Sequence, residues 1–518
     1  MVEGGPVNHR IDPAMSGALM VCGTASDVGK SHMVTGLCRM LARRGVRVAP
    51  FKAQNMALNS FVTNAGDEIG RSTAVQAMAA GAEPEAAMNP VLLKPTDATR
   101  SQVVVMGRAL DDDIDFITYR SYHSRLRTIA LDALTDLRHR FDVVICEGAG
   151  GAAEINLIDG DIVNLPLAAA ADIPAIVVGD IERGGVFAAL FGTVALLPEG
   201  YRGLVRGFVI NKFRGDASLL DAGTAELERR CGVPTLGVVP WVDGVGLDAE
   251  DSMALPLHMP SAPGRPGSGV LDVAVVRLPR ISNFTDFDPL AVEDGVGVRM
   301  VASAAIGDPD LLIIPGTKST VADMAWMRSR GLDRVVAEAA RRPDGPVVLG
   351  ICGGYQMLGR SIHDDVESRS GSHAGLGLLE VSTTFAASKV TLRRSGTALG
   401  SPVTGYEIHH GRMTRDGSQR GWVHLGDDSG DDEEGCTSAA GRVWGTSLHG
   451  LFEEDAFRSS FLAMVADRRG KQYTPSGRSF AAARGDQFDR LADALERWVD
   501  IAALERIIGS TTPLPAPR

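Results

Sequence analysis

ALMVCGTASDVGKS, residues 18–31, passes from a short apolar run through a glycine turn into a helical pattern. Beyond the turn, Met33, Leu37, Met40 and Leu41 recur at the spacing of one helix face. A strand that enters a helix through such a turn aims loop N–H groups and the helix N-terminus at one point, a seat for polyphosphate. Here Thr24, Ser26, Asp27, Val28 and Gly29 are expected to cradle the phosphates of ATP. Lys30 would reach the β- and γ-phosphates, and the Ser31 hydroxyl would ligate Mg²⁺. The strict pattern GxxxxGK[ST] asks for glycine at position 24; this chain has Thr24, with Gly23 one place earlier.

Outward from this turn, similar apolar runs recur at residues 46–51, 143–146, 173–178, 207–210 and 236–239, several of them separated by helical stretches. That alternation predicts a doubly wound parallel sheet. FDVVICEGAGG, residues 141–151, is a strand ending in an acid and a glycine turn, which makes Glu147 the candidate for a second contact to Mg²⁺. Asn211 and Lys212, after the strand GFVI, are candidates to contact the nucleotide base. Partition-type ATPases carry a further lysine five places before the loop lysine; Ala25 stands there, which weakens a switch-protein reading.

Residues 257–270, LHMPSAPGRPGSGV, are rich in Pro, Gly and Ser, the composition of a linker. A second α/β series follows, with runs at 273–276, 311–314 and 347–351 and a later strand before Ser447. The predicted division is a phosphate-loop domain over 1–260, a linker over 261–270, a second α/β domain over 271–470, and a C-terminal helix and tail over 471–518. An amphipathic helix around residues 488–501 is expected to pack on the second domain, and the acidic stretch 427–434 to be a solvated loop.

The whole chain sets bounds on these readings. Its 518 residues suffice for two or three domains. A net charge of -12 gives a nucleic-acid partner little support. No stretch approaches the roughly 18 uninterrupted apolar residues of a membrane span, and the first residues lack the apolar centre of a signal peptide. The six cysteines are scattered without CxxC spacing, which argues against a zinc or disulfide framework and fits a reducing cytoplasm.

VVLGICGG, residues 347–354, is a strand entering G-x-C-x-G, the sulfur counterpart of a nucleophile elbow. Glycines 350, 353 and 354 permit the tight turn that lifts Cys352 into a site, and the helix behind it favours a thiolate. A cysteine nucleophile needs a base to return a proton to a leaving amine. His449, after a strand and before Gly450, is the first candidate; His409 and His410 are the fallback, and His363 is a further histidine. Gly353 and Gly316 are candidates to supply the oxyanion N–H groups.

Taken together, these motifs resemble the cobyric acid synthase family, glutamine-hydrolysing amidotransferases of cobalamin biosynthesis. The resemblance covers nearly the whole chain. GTASDVGKS and ICEGAGG are similar to dethiobiotin synthetase. FKAQNMALNSFVT, EIGRSTAVQA, MNPVLLKP, AEINLIDGDIVN, GDIERGGVFA and NKFRGD are more specific, and PGTKST, GICGGYQMLG, GYEIHHGR and GTSLHGLFE resemble a class I, triad-type glutaminase.

The resemblance implies ATP- and glutamine-dependent amidation of four carboxylates of adenosylcobyrinic acid a,c-diamide. It also implies a passage for ammonia between the domains and a corrinoid site with cationic and amide partners, for which Lys52, Gln54, Asn55, Asn59, Arg71 and Lys94 are candidates. Cobyrinic acid a,c-diamide synthase, which amidates two other carboxylates, is the nearest alternative. Triad glutaminases commonly place Glu two residues after the histidine; Leu451 stands there and Glu453 is wrongly spaced, so the group that orients His449 stays open. A second departure follows the strand at 143–146, where relatives often carry Ser-Pro and this chain reads GAGGAAEINL.

Overall fold

The computed structural model describes residues 15–96, 99–110, 114–246, 271–416, 419–426 and 432–514. The first half is built on six parallel strands: β1 (Gly17–Gly23), β2 (Val48–Phe51), β3 (Val143–Glu147), β4 (Ala175–Asp180), β5 (Val205–Phe213) and β6 (Thr235–Pro240). They lie in the order β6-β5-β4-β1-β3-β2. The central strands are buried along almost their whole length, as Val-, Ile- and Ala-rich strands with both faces covered must be. Connections run to both sides of β1, so the crevice beyond its carboxyl end is the switch point where such sheets bind ligands. Helix α1 (Lys30–Arg43) starts there.

Between β2 and β3 the chain makes an excursion. Gln54–Met56, Val91–Pro95 and Arg100–Val105 form a small mixed sheet, Ser60–Val62 pairs with Glu68–Gly70, and helix α2 (Arg71–Ala80) follows that hairpin.

The second half repeats the layering. β7 (Leu271–Val276), β8 (Val296–Val301), β9 (Leu311–Ile314) and β10 (Val347–Ile351) are parallel. The long strands β11 (Val381–Ala398) and β12 (Ser401–Arg415) form an antiparallel ribbon. β13 (Cys436–Thr437) and β14 (Val443–Thr446) complete the second sheet beside β10. Helix α3 (Gly353–Leu358) follows β10.

The C-terminal helices correct an expectation. Helix α4 (Phe480–Trp498) packs along α1 of the first domain, while its first turns reach the second, where Phe480 N donates to Asp455 Oδ1 at 2.9 Å and Arg484 pairs with Glu453 at 3.2 Å. Gly36 makes the approach possible: a Cβ there would stand 2.8 Å from Leu495 Cδ1 and 3.1 Å from the Leu491 carbonyl oxygen. Arg39 and Arg43 pair with Asp489 and Asp493 along the seam. Helix α5 (Ile501–Gly509) lies against β1, where Thr511 Oγ1 accepts from Ala18 N at 3.0 Å and donates to Ala18 O at 2.8 Å. Leu495, Ile501, Leu504 and Ile508 thereby cover an apolar face made by Leu19, Val21, Leu37 and Val209. The predicted linker at 261–270 lies outside the described residues, as do residues 1–14, 427–431 and 515–518.

Candidate active site

The phosphate loop is shaped by its own backbone. Thr24 N donates to Val178 O at 3.0 Å, and Ala152 N donates to Gly23 O at 2.9 Å. Asp27 and Gly29 adopt φ of 58° and 98°. At Gly29 a Cβ would fall 2.2 Å from Asn211 Nδ2, so only glycine fits. Asn211 Nδ2 donates to Val28 O at 2.9 Å and acts as a brace on the loop. Ser26 and Asp27 are exposed and Val28 is buried beneath them. Lys30 curls back, donating to the carbonyls of Ala25 and Gly150, each at 2.9 Å.

Ser31 and Glu147 meet: the hydroxyl donates to Glu147 Oε1 at 2.9 Å. Lys52 Nζ stands 2.9 Å from the same oxygen, and Gln76 Nε2 donates to Oε2. A hydroxyl and a carboxylate are hard oxygen donors of the kind Mg²⁺ takes when phosphates and water fill its remaining positions. Among the described residues no group of three or more His, Cys, Asp or Glu is placed to hold a metal ion.

Of the six candidate corrinoid contacts, Lys52, Asn55, Asn59, Arg71 and Lys94 are buried, each with partners inside the protein. Lys52 serves Glu147, Asn55 Nδ2 donates to Ser72 Oγ at 3.3 Å, and Gln54 Oε1 accepts from Tyr119. The other three sit on the boundary between the two halves. Asn59 Oδ1 accepts from Phe284 N at 3.2 Å, and Arg71 pairs with Glu453 at 2.7 Å. Lys94 binds Glu68 at 2.7 Å and lines the cavity that holds Cys352.

Cys352 follows β10 with φ 49° and ψ -107°, a positive φ that costs a non-glycine residue energy and recurs at functional sites. Its neighbours must be glycines: a Cβ at Gly354 would stand 1.9 Å from Ile314 O, and one at Gly350 2.5 Å from Leu358 Cδ1. Cys352 N donates to Thr446 O at 2.7 Å, tying the elbow to the strand that leads to His449.

His449 is buried, its ring stacked on Tyr406 with centroids 5.4 Å apart. Nδ1–H donates to Asp286 Oδ2 at 2.7 Å, and Gly450 N donates to Asp286 Oδ1 at 2.9 Å. Among the described residues Nε2 has no hydrogen-bond partner, and the nearby Cys352 side chain favours the ring's charged form. Burial alone would push the imidazole down, but the Asp286 carboxylate and then Cys352 raise it to about 10. The site therefore favours an imidazolium. Gly316 lies under this ring, where a Cβ would be 2.8 Å from His449 Cε1, and Gly353 faces Thr317, whose N would be 3.1 Å from a Cβ. His409 and His410 line the same cavity, but their Nδ1 atoms are engaged by Gly411 O at 2.7 Å and Ala386 O at 3.0 Å. His363 is bound to Ser372 at the surface.

Sequence reasoning misses Asp286, which lies 163 residues before the histidine it orients. It also makes the whole acidic stretch a solvated loop, which Glu434 contradicts. That side chain is buried: Oε2 accepts from Thr446 Oγ1 and Oε1 from Ser447 N, both at 2.6 Å, just before His449. Burial pushes its carboxyl up to about 7.

The chain matches two domain families. The CobQ/CobB/MinD/ParA nucleotide binding domain covers residues 19–255, and the CobB/CobQ-like glutamine amidotransferase domain covers residues 272–457. A cobyric acid synthase of Frankia casuarinae is 53% identical over 97% of this chain and 99% of that protein. Cobyric acid synthases of Nocardia farcinica (52% identical; 97% of this chain, 99% of that protein) and Rhodococcus jostii (51%; 96% and 97%) are similarly near. Among the described residues no helix is long and apolar enough to cross a membrane.

Proposed function

Because the chain belongs to the cobyric acid synthase family, we propose that it amidates four carboxylates of adenosylcobyrinic acid a,c-diamide to give adenosylcobyric acid, consuming ATP and glutamine in the cytoplasm. At the coarser level it is an ATP-dependent glutamine amidotransferase of cobalamin biosynthesis. The observation that supports the glutaminase half of this reading is the Asp286–His449 pair beside Cys352, at a cavity whose wall includes Lys94 of the phosphate-loop half; the corrinoid and its four carboxylates rest on the family likeness.

Cys352 attacks the glutamine carboxamide while the His449 imidazolium gives its proton to departing ammonia. Gly353 and Gly316 are the proposed oxyanion donors, and water then releases glutamate from the thioester. A carboxylate is a poor electrophile because oxide must leave; transfer of the ATP γ-phosphoryl group to it makes a good leaving group. Lys30 would exchange its loop carbonyls for phosphate oxygens in that step. Mg²⁺ held by Ser31 and Glu147 would neutralise phosphate charge. Ammonia is kept from water by passing between the halves, since ammonium is no nucleophile.

Cys352→Ala should lower glutamine-dependent synthesis at least about a thousandfold and leave synthesis from ammonium chloride near wild type. Lys30→Ala should abolish both. Mass spectrometry of the corrinoid counts the amides added. Glutamine use that survived Cys352→Ala would refute the nucleophile.

A further inference from the structure

The Cys352 cavity has an uneven charge. Its walls carry Lys318 and Glu367, which pair with one another, and two further lysines, Lys389 and Lys94. Lys389 comes from β11, in the stretch between Phe385 and Val390 where the ribbon's register shifts. Such an irregularity re-aims a side chain away from the regular pleat. Lys94 comes from the phosphate-loop half. Both bind the one buried carboxylate of Glu68, Lys94 at 2.7 Å and Lys389 at 2.5 Å. One positive charge is left over beside the cavity. Burial, with Lys94 and Lys318 close by, pushes Lys389 down to about 8 even though Glu68 opposes it. Buried cations crowded in this way are relieved by an incoming anion.

An amino acid whose side-chain amide meets Cys352 brings a carboxylate and an ammonium to the other end of the cavity. Phe385 and Ile408, also in the lining, offer apolar contact to the methylenes between. We propose that Lys389 and Lys94 bind the α-carboxylate of glutamine and Glu367 its α-ammonium, so that a residue of the phosphate-loop half completes the glutamine site. This rests on the reading of Cys352 as the glutaminase nucleophile. It reassigns Lys94 from the corrinoid to the nitrogen donor, and it makes glutamine capture depend on the docking of the two halves.

The test uses the full chain, with glutamine and ammonium chloride as alternative nitrogen donors. Losing one charged hydrogen bond to the substrate should raise the glutamine KM of Lys389→Gln by about tenfold to a hundredfold, with kcat changed much less. The ratio of glutamine- to ammonium-supported efficiency should fall by the same factor, and Lys389→Arg should restore part of it. Glutaminamide, which replaces the α-carboxylate with an amide, probes the wild type directly: it should be at least about tenfold poorer than glutamine, and Lys389→Gln should remove that handicap. Equal use of glutamine and glutaminamide by the wild type, or an unchanged glutamine KM in both Lys389→Gln and Lys94→Gln, would overturn the assignment. Glutamine use by Cys352→Ala would instead overturn the glutaminase reading beneath it.

Discussion

His449 is flanked by two groups, Asp286 and Cys352, that favour its charged form. Its folded-state value lies above the ordinary 6.5, so the native protein binds this proton more tightly than the unfolded chain. The stabilisation is fully present below about 6.5 and is lost as pH rises through about 10. Asp286→Asn keeps the shape but removes the charge that fixes the tautomer. We expect glutamine-dependent kcat to fall by about 10²–10⁴, with ammonium-supported synthesis reporting an intact fold. The His449 resonance should titrate at lower pH in the variant by NMR; an unchanged value would rule out Asp286 as its positioning residue. Cys352 and His449 are legible in the sequence because each sits in a local pattern, glycines around the one and a strand end before the other. Asp286 is not, because only folding brings SNFTDFD beside TSLHG.

At the scale of elements, the seam between α1 and α4 shows what local pattern leaves undecided. Amphipathic spacing announces a helix near residues 488–501 but carries no address for its apolar face. The address is Gly36, whose missing side chain admits Leu491 and Leu495. Gly36→Leu should overpack this seam and lower stability by about 1–3 kcal/mol, read as a lower urea midpoint. Gly192, inside the helix Val186–Leu196, is the opposite case: a Cβ added there would meet nothing within 4 Å. Gly192→Ala should raise stability by about 0.5–1 kcal/mol. The opposite signs at two helical glycines test whether close approach, and not helix propensity, explains Gly36.

Across the whole molecule, the hairpin Ser60–Val62/Glu68–Gly70 ties the halves together. Ser60 N donates to Asn283 Oδ1 at 2.9 Å, Tyr406 Oη donates to Ser60 O at 3.0 Å, and Glu68 grips Lys389. The residues that hold the loop of Asp286 and the ring partner of His449 thus belong partly to the other domain. Although burial opposes it, Lys389 and Lys94 hold the Glu68 carboxyl well below its usual range. Its contribution is present above about 4.5 and is lost as pH falls toward the lowered value. Glu68→Gln should cost about 3–5 kcal/mol at neutral pH and flatten the acid limb of a stability curve. Glu434 has the opposite sign: its raised value makes stability fall as pH climbs from about 4.5 to about 7. Glu434→Gln should remove that decline, measured by urea midpoints across the same range.

The sequence by itself determined the two α/β series, the phosphate turn and the cysteine elbow, because each is written in neighbouring residues whose spacing dictates backbone geometry. Only the tertiary structure decided where the last helices dock, which acid orients the histidine, and that Asn59, Arg71 and Lys94 serve the junction of the halves. Those choices depend on contacts between residues far apart in the chain. Shape and burial select such partners, and no local period encodes them.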